Sequence, residues 1–141
     1  MPPSRPTPPV PGEWVIFAAN LLSPVLFCVL GYVARTQGQV AADSVVAWPV
    51  SLTALAVGAL ATGVITLGRP FIAPRTSQYL QWLILRLALA EATAAVALAG
   101  FLLGSTSLAF VVVLAWSTGL ILLCMPTQAD RGAWEQARRG R

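Results

Sequence analysis

Four long apolar runs alternate with short polar stretches along the 141 residues of the chain. The first, "WVIFAANLLSPVLFCVLGYVA", extends from about Trp14 to Ala34, and the second, from Ser44 to Leu67, ends in "ALAVGALATGVITL". The third covers Tyr79 to Leu103, and the fourth, "LAFVVVLAWSTGLILLCM", covers Leu108 to Met125 and is closed by Pro126. Each is close to the roughly 20 residues of helix that cross a bilayer. Their length and lack of period-two alternation exclude strands. The pattern predicts an all-α integral membrane bundle of four transmembrane helices. Its loops are short: "RTQGQVAAD", "GRPFIAPRTSQ" and "GSTS". Pro24 and Pro49 fall inside runs, where neighbouring helices and polar side chains can satisfy the carbonyls that a proline frees. The first run is too long, and its flank too rich in proline, for a cleaved signal peptide.

The ends of the chain differ from this core. Six prolines in "MPPSRPTPPVP" exclude regular structure and predict a solvated tail over residues 1–13, with a PxxP-type ligand as the alternative reading. The transmembrane domain is then 14–126, and 127–141 forms a basic tail. In that tail Trp134 stands beside Arg138 and Arg139. It serves as the positive anchor of the fourth span, and its composition also suits contact with anionic headgroups.

Composition agrees with a membrane class. Hydrophobic residues make up 57% of the chain and charged residues 10%, against about 25% charged in soluble domains. The net charge of +4 comes from arginine without lysine. A nucleic-acid reader needs more exposed polar surface than this chain has. Histidine is absent, which removes the commonest general base and zinc ligand. Without lysine there is no Schiff-base chemistry. No nucleophile–base set, metal cluster, phosphate loop or cofactor box is present, so the expectation is a non-enzymatic protein with no cofactor and no metal. Cys28 and Cys124 lie at different depths and read as unpaired apolar filler.

Arginine placement predicts direction. With four spans, both termini and the second loop share a side, which holds Arg5, Arg69, Arg75, Arg131, Arg138, Arg139 and Arg141. The other side holds Arg35 alone. Arginine-rich loops stay in the cytoplasm, so both termini are expected inside, in a multi-pass protein of a bacterial inner membrane. Arg69, Arg75, Arg138 and Arg139 are then the expected contacts to anionic lipid headgroups.

Small residues recur at helical spacing in the second and third spans. Ala54, Gly58 and Thr62 form one such row, Ala59 and Gly63 a second, and Ala88, Ala92, Ala95 and Ala99 a third. Small-xxx-small rows let helix backbones approach closely. Gly58, Gly63, Ala88, Ala92 and Ala95 are therefore the expected packing positions, whether within the chain or against another subunit.

The segment "RLALAEATAA" adds two charges to the third span. Counted from Tyr79, Arg86 lies about 10 Å and Glu91 about 18 Å along the helix. Arg86 can snorkel toward the inner headgroups. Glu91 lies near the midplane, where a carboxylate costs about 2.5–3.5 kcal/mol. It must be neutral, paired or facing a hydrated pocket. Arg86, about 140° around the same helix, is badly placed to pair with it. The candidate partners on other helices are Asn20, Ser51, Thr53 and Thr62. Glu91 is thus a candidate ion-binding group, with Arg86, Asn20 and Thr62 in support, or else a hydrogen-bonding tie between helices.

The hairpin "LTALAVGALATGVITLGRP…RLALAEATAAVALAGFLLG" resembles the c subunits of rotary ATP synthases. These have a small-residue helix, a basic loop with proline, and a second helix with a mid-membrane carboxylate. The resemblance covers about half the chain and implies that Glu91 carries an ion, with Arg69 and Pro70 in the polar loop. The GxGxGxG run of that family is absent, and two more spans flank the hairpin. The chain also resembles a class of small four-span bacterial membrane proteins with an arginine–glutamate third helix, which implies no activity. Its size is similar to that of small multidrug-resistance transporters, whose essential glutamate is in the first helix. The sequence thus favours a packing or accessory subunit of a larger membrane assembly or homo-oligomer. A proton-binding c-like module is the second reading and a small multidrug transporter the third.

Overall fold

The computed structural model describes residues 10–38, 44–72 and 78–139, without the side chains of 44–48 and 138. These residues are helical almost throughout: α1 (Pro11–Thr36), α2 (Ser44–Leu67), α3 (Arg69–Ile72), α4 (Tyr79–Leu102), α5 (Ser107–Leu123) and α6 (Gln128–Arg139). There is no strand among them. Three helices are long and apolar enough to cross a membrane, and α5 joins them if α6, bent from it by 76°, is counted with it. Arg75 and residues 1–9 of the proline-rich tail lie outside the described residues.

Helix boundaries follow local chemistry. α1 starts earlier than the apolar run, because Pro11 is preorganised for the first helical position. The Glu13 carboxylate then accepts the Val10 amide at 3.1 Å, so Glu13 belongs to the first turn of α1 rather than to the tail. α1 continues through Pro24. The proline removes the amide that would reach the Asn20 carbonyl, and the Ser23 hydroxyl donates to that carbonyl instead at 2.7 Å. Thr106 caps α5 by accepting the Ala109 amide at 3.2 Å.

The segment read as a basic tail is instead α6. Thr127 accepts the Asp130 amide at 3.1 Å and so caps its start. The TxxD spacing in "TQAD" is that of a helix N-cap followed by an acidic third residue. Trp134 is 6% exposed and meets Tyr79 edge-on at 5.9 Å. Its ring lies against protein. The one-turn α3 was also not foreseen.

α4 is the central helix and packs on α1, α2 and α5. Its buried positions, among them Leu83, Arg86, Leu87, Ala90, Ala94, Ala97 and Phe101, recur at spacings of three and four residues. One core cluster gathers Phe17, Ile65, Trp82, Leu83, Leu120, Ile121 and Trp134. The second gathers Ala54, Ala97, Phe101, Phe110 and Val113. Within this core the buried Ser117 hydroxyl donates to the Ala90 carbonyl at 2.7 Å. Large apolar side chains such as Leu22, Val25, Leu60, Leu108 and Leu122 are exposed around the outside.

Two polar links mark opposite ends of the bundle. Arg35 donates to the Ser107 hydroxyl at 2.8 Å where α1 ends and α5 begins. Glu13 pairs with Arg131 where α1 begins and α6 follows α5. α1 and α5 are therefore antiparallel, and the start of α1 shares an end of the bundle with α6. Cys28 is exposed and Cys124 buried, both as free thiols; filler describes only Cys124.

Candidate functional site

The polar chemistry gathers where α6 folds across the bundle, and its centre is Asp130. One carboxylate oxygen, Oδ2, accepts the Tyr79 hydroxyl at 2.7 Å and Nη1 of Arg86 at 2.8 Å. The other, Oδ1, pairs with Arg69. Arg86 uses Nη2 to reach the Leu123 carbonyl at 2.9 Å, one of the acceptors left open at the end of α5. Its guanidinium carbon lies 5.5 Å from the Trp82 ring centroid. Beside this group, Arg131 pairs with Glu13 and lies 5.0 Å from the Tyr79 ring centroid. Such charge-assisted contacts are the stronger hydrogen bonds of proteins, and each ion here keeps at least one opposite partner.

Arg86 corrects the expectation of a snorkelling side chain. Only 4% of the side chain is exposed. On the buried face of the central helix it is surrounded by protein, and its partner is a carboxylate from α6. The cluster holds three guanidiniums against the two carboxylates of Asp130 and Glu13. It therefore keeps a formal charge of +1 (three minus two).

An open pocket of about 610 Å³ borders this cluster and is lined in part by Arg69, Arg86, Asp130 and Thr127. Nε of Arg69 and Nε of Arg86 are buried, and neither has a hydrogen-bond partner among the described residues. An unmade hydrogen bond of this kind costs about 1–3 kcal/mol, and more for a charged donor.

Glu91 occupies a different environment. It is half-buried on α4 and makes no hydrogen bond or ion pair among the described residues. The supporting residues expected for it are engaged elsewhere. The Asn20 amide donates to the Ile16 carbonyl at 2.9 Å. The Thr62 hydroxyl accepts from the Trp116 indole at 3.0 Å and donates to the Gly58 carbonyl at 2.7 Å. Arg86, about 140° away around the helix, is bound to Asp130.

The small residues divide into two sets. Gly58 is buried, and a Cβ there would lie 3.3 Å from Thr93 and 3.5 Å from Trp116, so it permits a close crossing of α2, α4 and α5. Gly63 would meet nothing within 4 Å. Ala88, Ala92, Ala95 and Ala99 are exposed; the alanines that pack α4 inside the chain are Ala90, Ala94 and Ala97. Of the two settings left open for Ala88, Ala92 and Ala95, packing within the chain is not what the described residues show. Both rows have helical spacing, and only the positions of α1, α2 and α5 distinguish them.

Of the residues expected at headgroups, Arg69 is turned partly inward to Asp130, Arg139 is exposed, and Arg75 and the Arg138 side chain lie outside the described set. Sequence reasoning missed Asp130, Glu13, Tyr79 and Arg131 as one cluster. The available signal was Arg86 itself, a charge inside a span that requires a counter-ion from among very few acidic residues. Compared with known protein families, with curated proteins and with solved structures, the chain has no match.

Proposed function

We propose that this chain is a small membrane protein with both termini in the cytoplasm, acting as a non-enzymatic packing or accessory subunit of a larger membrane assembly. The carrying observation is the outward face of α4, where the exposed row Ala88, Ala92, Ala95 and Ala99 is flanked by half-buried Glu91, which makes no ion pair among the described residues. Glu91 follows Ala88 by three residues and precedes Ala95 by four, so all share one helix surface. Small side chains let a neighbouring helix approach closely, and a polar group in hydrocarbon gains from a hydrogen-bonding partner on that helix. The exposed apolar side chains elsewhere on the bundle match a lipid-facing surface. The arginine distribution supports the inside placement of both ends.

Detergent extraction followed by native mass measurement tests this reading. Wild type should keep a stoichiometric membrane partner, either another subunit or a second copy. Ala92→Leu should lose it while remaining helical, and Glu91→Leu should lose it more readily than Glu91→Gln, which can still hydrogen-bond. A strictly monomeric wild type, or an assembly indifferent to all three changes, would overturn the proposal.

One observation favours a second reading, a proton-binding c-like module. Asp130 holds Arg86 on the far side of α4, which leaves Glu91 without a resident counter-ion. In that case a carbodiimide should label Glu91 selectively, and both Glu91→Gln and Glu91→Leu should abolish proton transfer without unfolding the chain. A packing subunit has no proton transfer for either substitution to abolish.

A further inference from the structure

The pocket beside Asp130 combines three features that the packing role does not use. It is bordered by two guanidiniums, Arg69 and Arg86, against one carboxylate, so its polar wall carries a formal charge of +1 (two minus one). Asp130 already accepts from both arginines and from Tyr79, which leaves it little capacity for a further donor. The Nε–H donors of both arginines are buried and have no acceptor among the described residues, so the two guanidiniums meet the pocket chiefly through their charge. A wall with net positive charge calls for an anion, and guanidiniums suit one with several acceptor oxygens, as in arginine–phosphate recognition.

The apolar part of the lining decides which anion fits. Leu122, Leu123 and Met125 line the pocket and are exposed beyond it. An inorganic anion gains nothing from these side chains. An amphiphile with a phosphodiester head and acyl chains uses both the charged and the apolar lining, laying its chains along the latter. The geometry points to a site for a single anionic phospholipid, its phosphate held by Arg69 and Arg86 and its chains against Leu122, Leu123 and Met125. This inference rests on the membrane placement proposed above and puts the lipid in the cytoplasmic leaflet. It differs from diffuse attraction to basic tails, because binding requires both charge and pocket volume.

Native mass spectrometry of detergent-purified full-length protein tests the site. The protein is mixed with phosphatidylglycerol, with phosphatidylcholine of the same chains, or with phosphatidylglycerol plus a large excess of inorganic phosphate. Wild type should retain one phosphatidylglycerol in preference to phosphatidylcholine, and inorganic phosphate should not displace it. Arg69→Gln should lower retention about tenfold or more, as expected for removal of a charged hydrogen-bond donor. Ala129→Phe adds bulk to the pocket wall without changing charge and should lower retention similarly. It also keeps the test decisive if Arg69→Gln fails to fold.

Equal retention of the two lipids would overturn the site, as would retention unchanged in the folded variants. Displacement by inorganic phosphate would overturn the lipid assignment and leave a water-side anion site. Whether the chain leaves membranes only with detergent is read in the same preparation. A chain that needs detergent but shows no headgroup preference loses this inference and keeps the membrane reading.

Discussion

Arg86 and Asp130 meet at 2.8 Å although 44 residues separate them, joining the interior of the central helix to the helix that crosses the bundle's end. Both side chains are nearly excluded from solvent. Desolvating two ions is expensive, and removing one partner leaves the other charge buried without compensation. The pair therefore sets the position of α6 more than it adds to net stability.

Asp130→Leu is expected to destabilise the folded chain by about 3–5 kcal/mol, the usual effect of breaking a buried pair from one side. Combining it with Arg86→Met should recover much of that loss, because the orphaned charge is removed as well. Thermal unfolding in a fixed detergent checks both. A double variant as unstable as Asp130→Leu alone would mean that Arg86 contributes mainly through the Leu123 carbonyl.

Trp134→Ala is expected to free α6 before the rest unfolds. The indole is buried against Tyr79 within the larger core cluster, and truncating a buried tryptophan costs about 3–5 kcal/mol. Hydrogen exchange should rise across Gln128–Arg139 with little change in α4. Uniform loss of protection would instead show that α6 and the bundle open together.

Gly58→Leu and Gly63→Leu should behave differently although they lie five residues apart on one helix. At Gly58 the new side chain meets Thr93 and Trp116, an overpacking that costs about 1–3 kcal/mol. At Gly63 the space is open, so the isolated chain should keep its thermal midpoint. Equal midpoints for the two variants would mean that α2 shifts to make room.

A reporter fused after Arg141 that is active only outside the cytoplasmic membrane should be inactive, and a cytoplasmic reporter at the same place should be active. The arginine bias predicts this. Glu13 and Arg131 meet at one end of the bundle, so a reporter joined ahead of Met1 should give the same answer. Opposite results at the two ends would require an odd number of crossings.

The sequence by itself determined the four long helices and their apolar character, but neither α3 nor α6. Runs of about twenty apolar residues have few other ways to satisfy their backbone in a membrane, whereas the end signals at Pro11, Thr106 and the TxxD of "TQAD" lie outside the apolar pattern and became legible only with the helices in place. Glu91 was equally visible, because a carboxylate in such a run has no local explanation. Tertiary structure alone decided which polar groups meet and which small residues face inward. Arg86 could have reached a headgroup, a second copy or a distant carboxylate. Its choice of Asp130 depends on the 76° turn between α5 and α6, which no spacing within α4 encodes. Ala90 and Ala92 are two identical side chains two positions apart, and one is buried while the other is exposed. Periodicity defines the rows of a helix, but only the neighbours packed around it decide which row they cover.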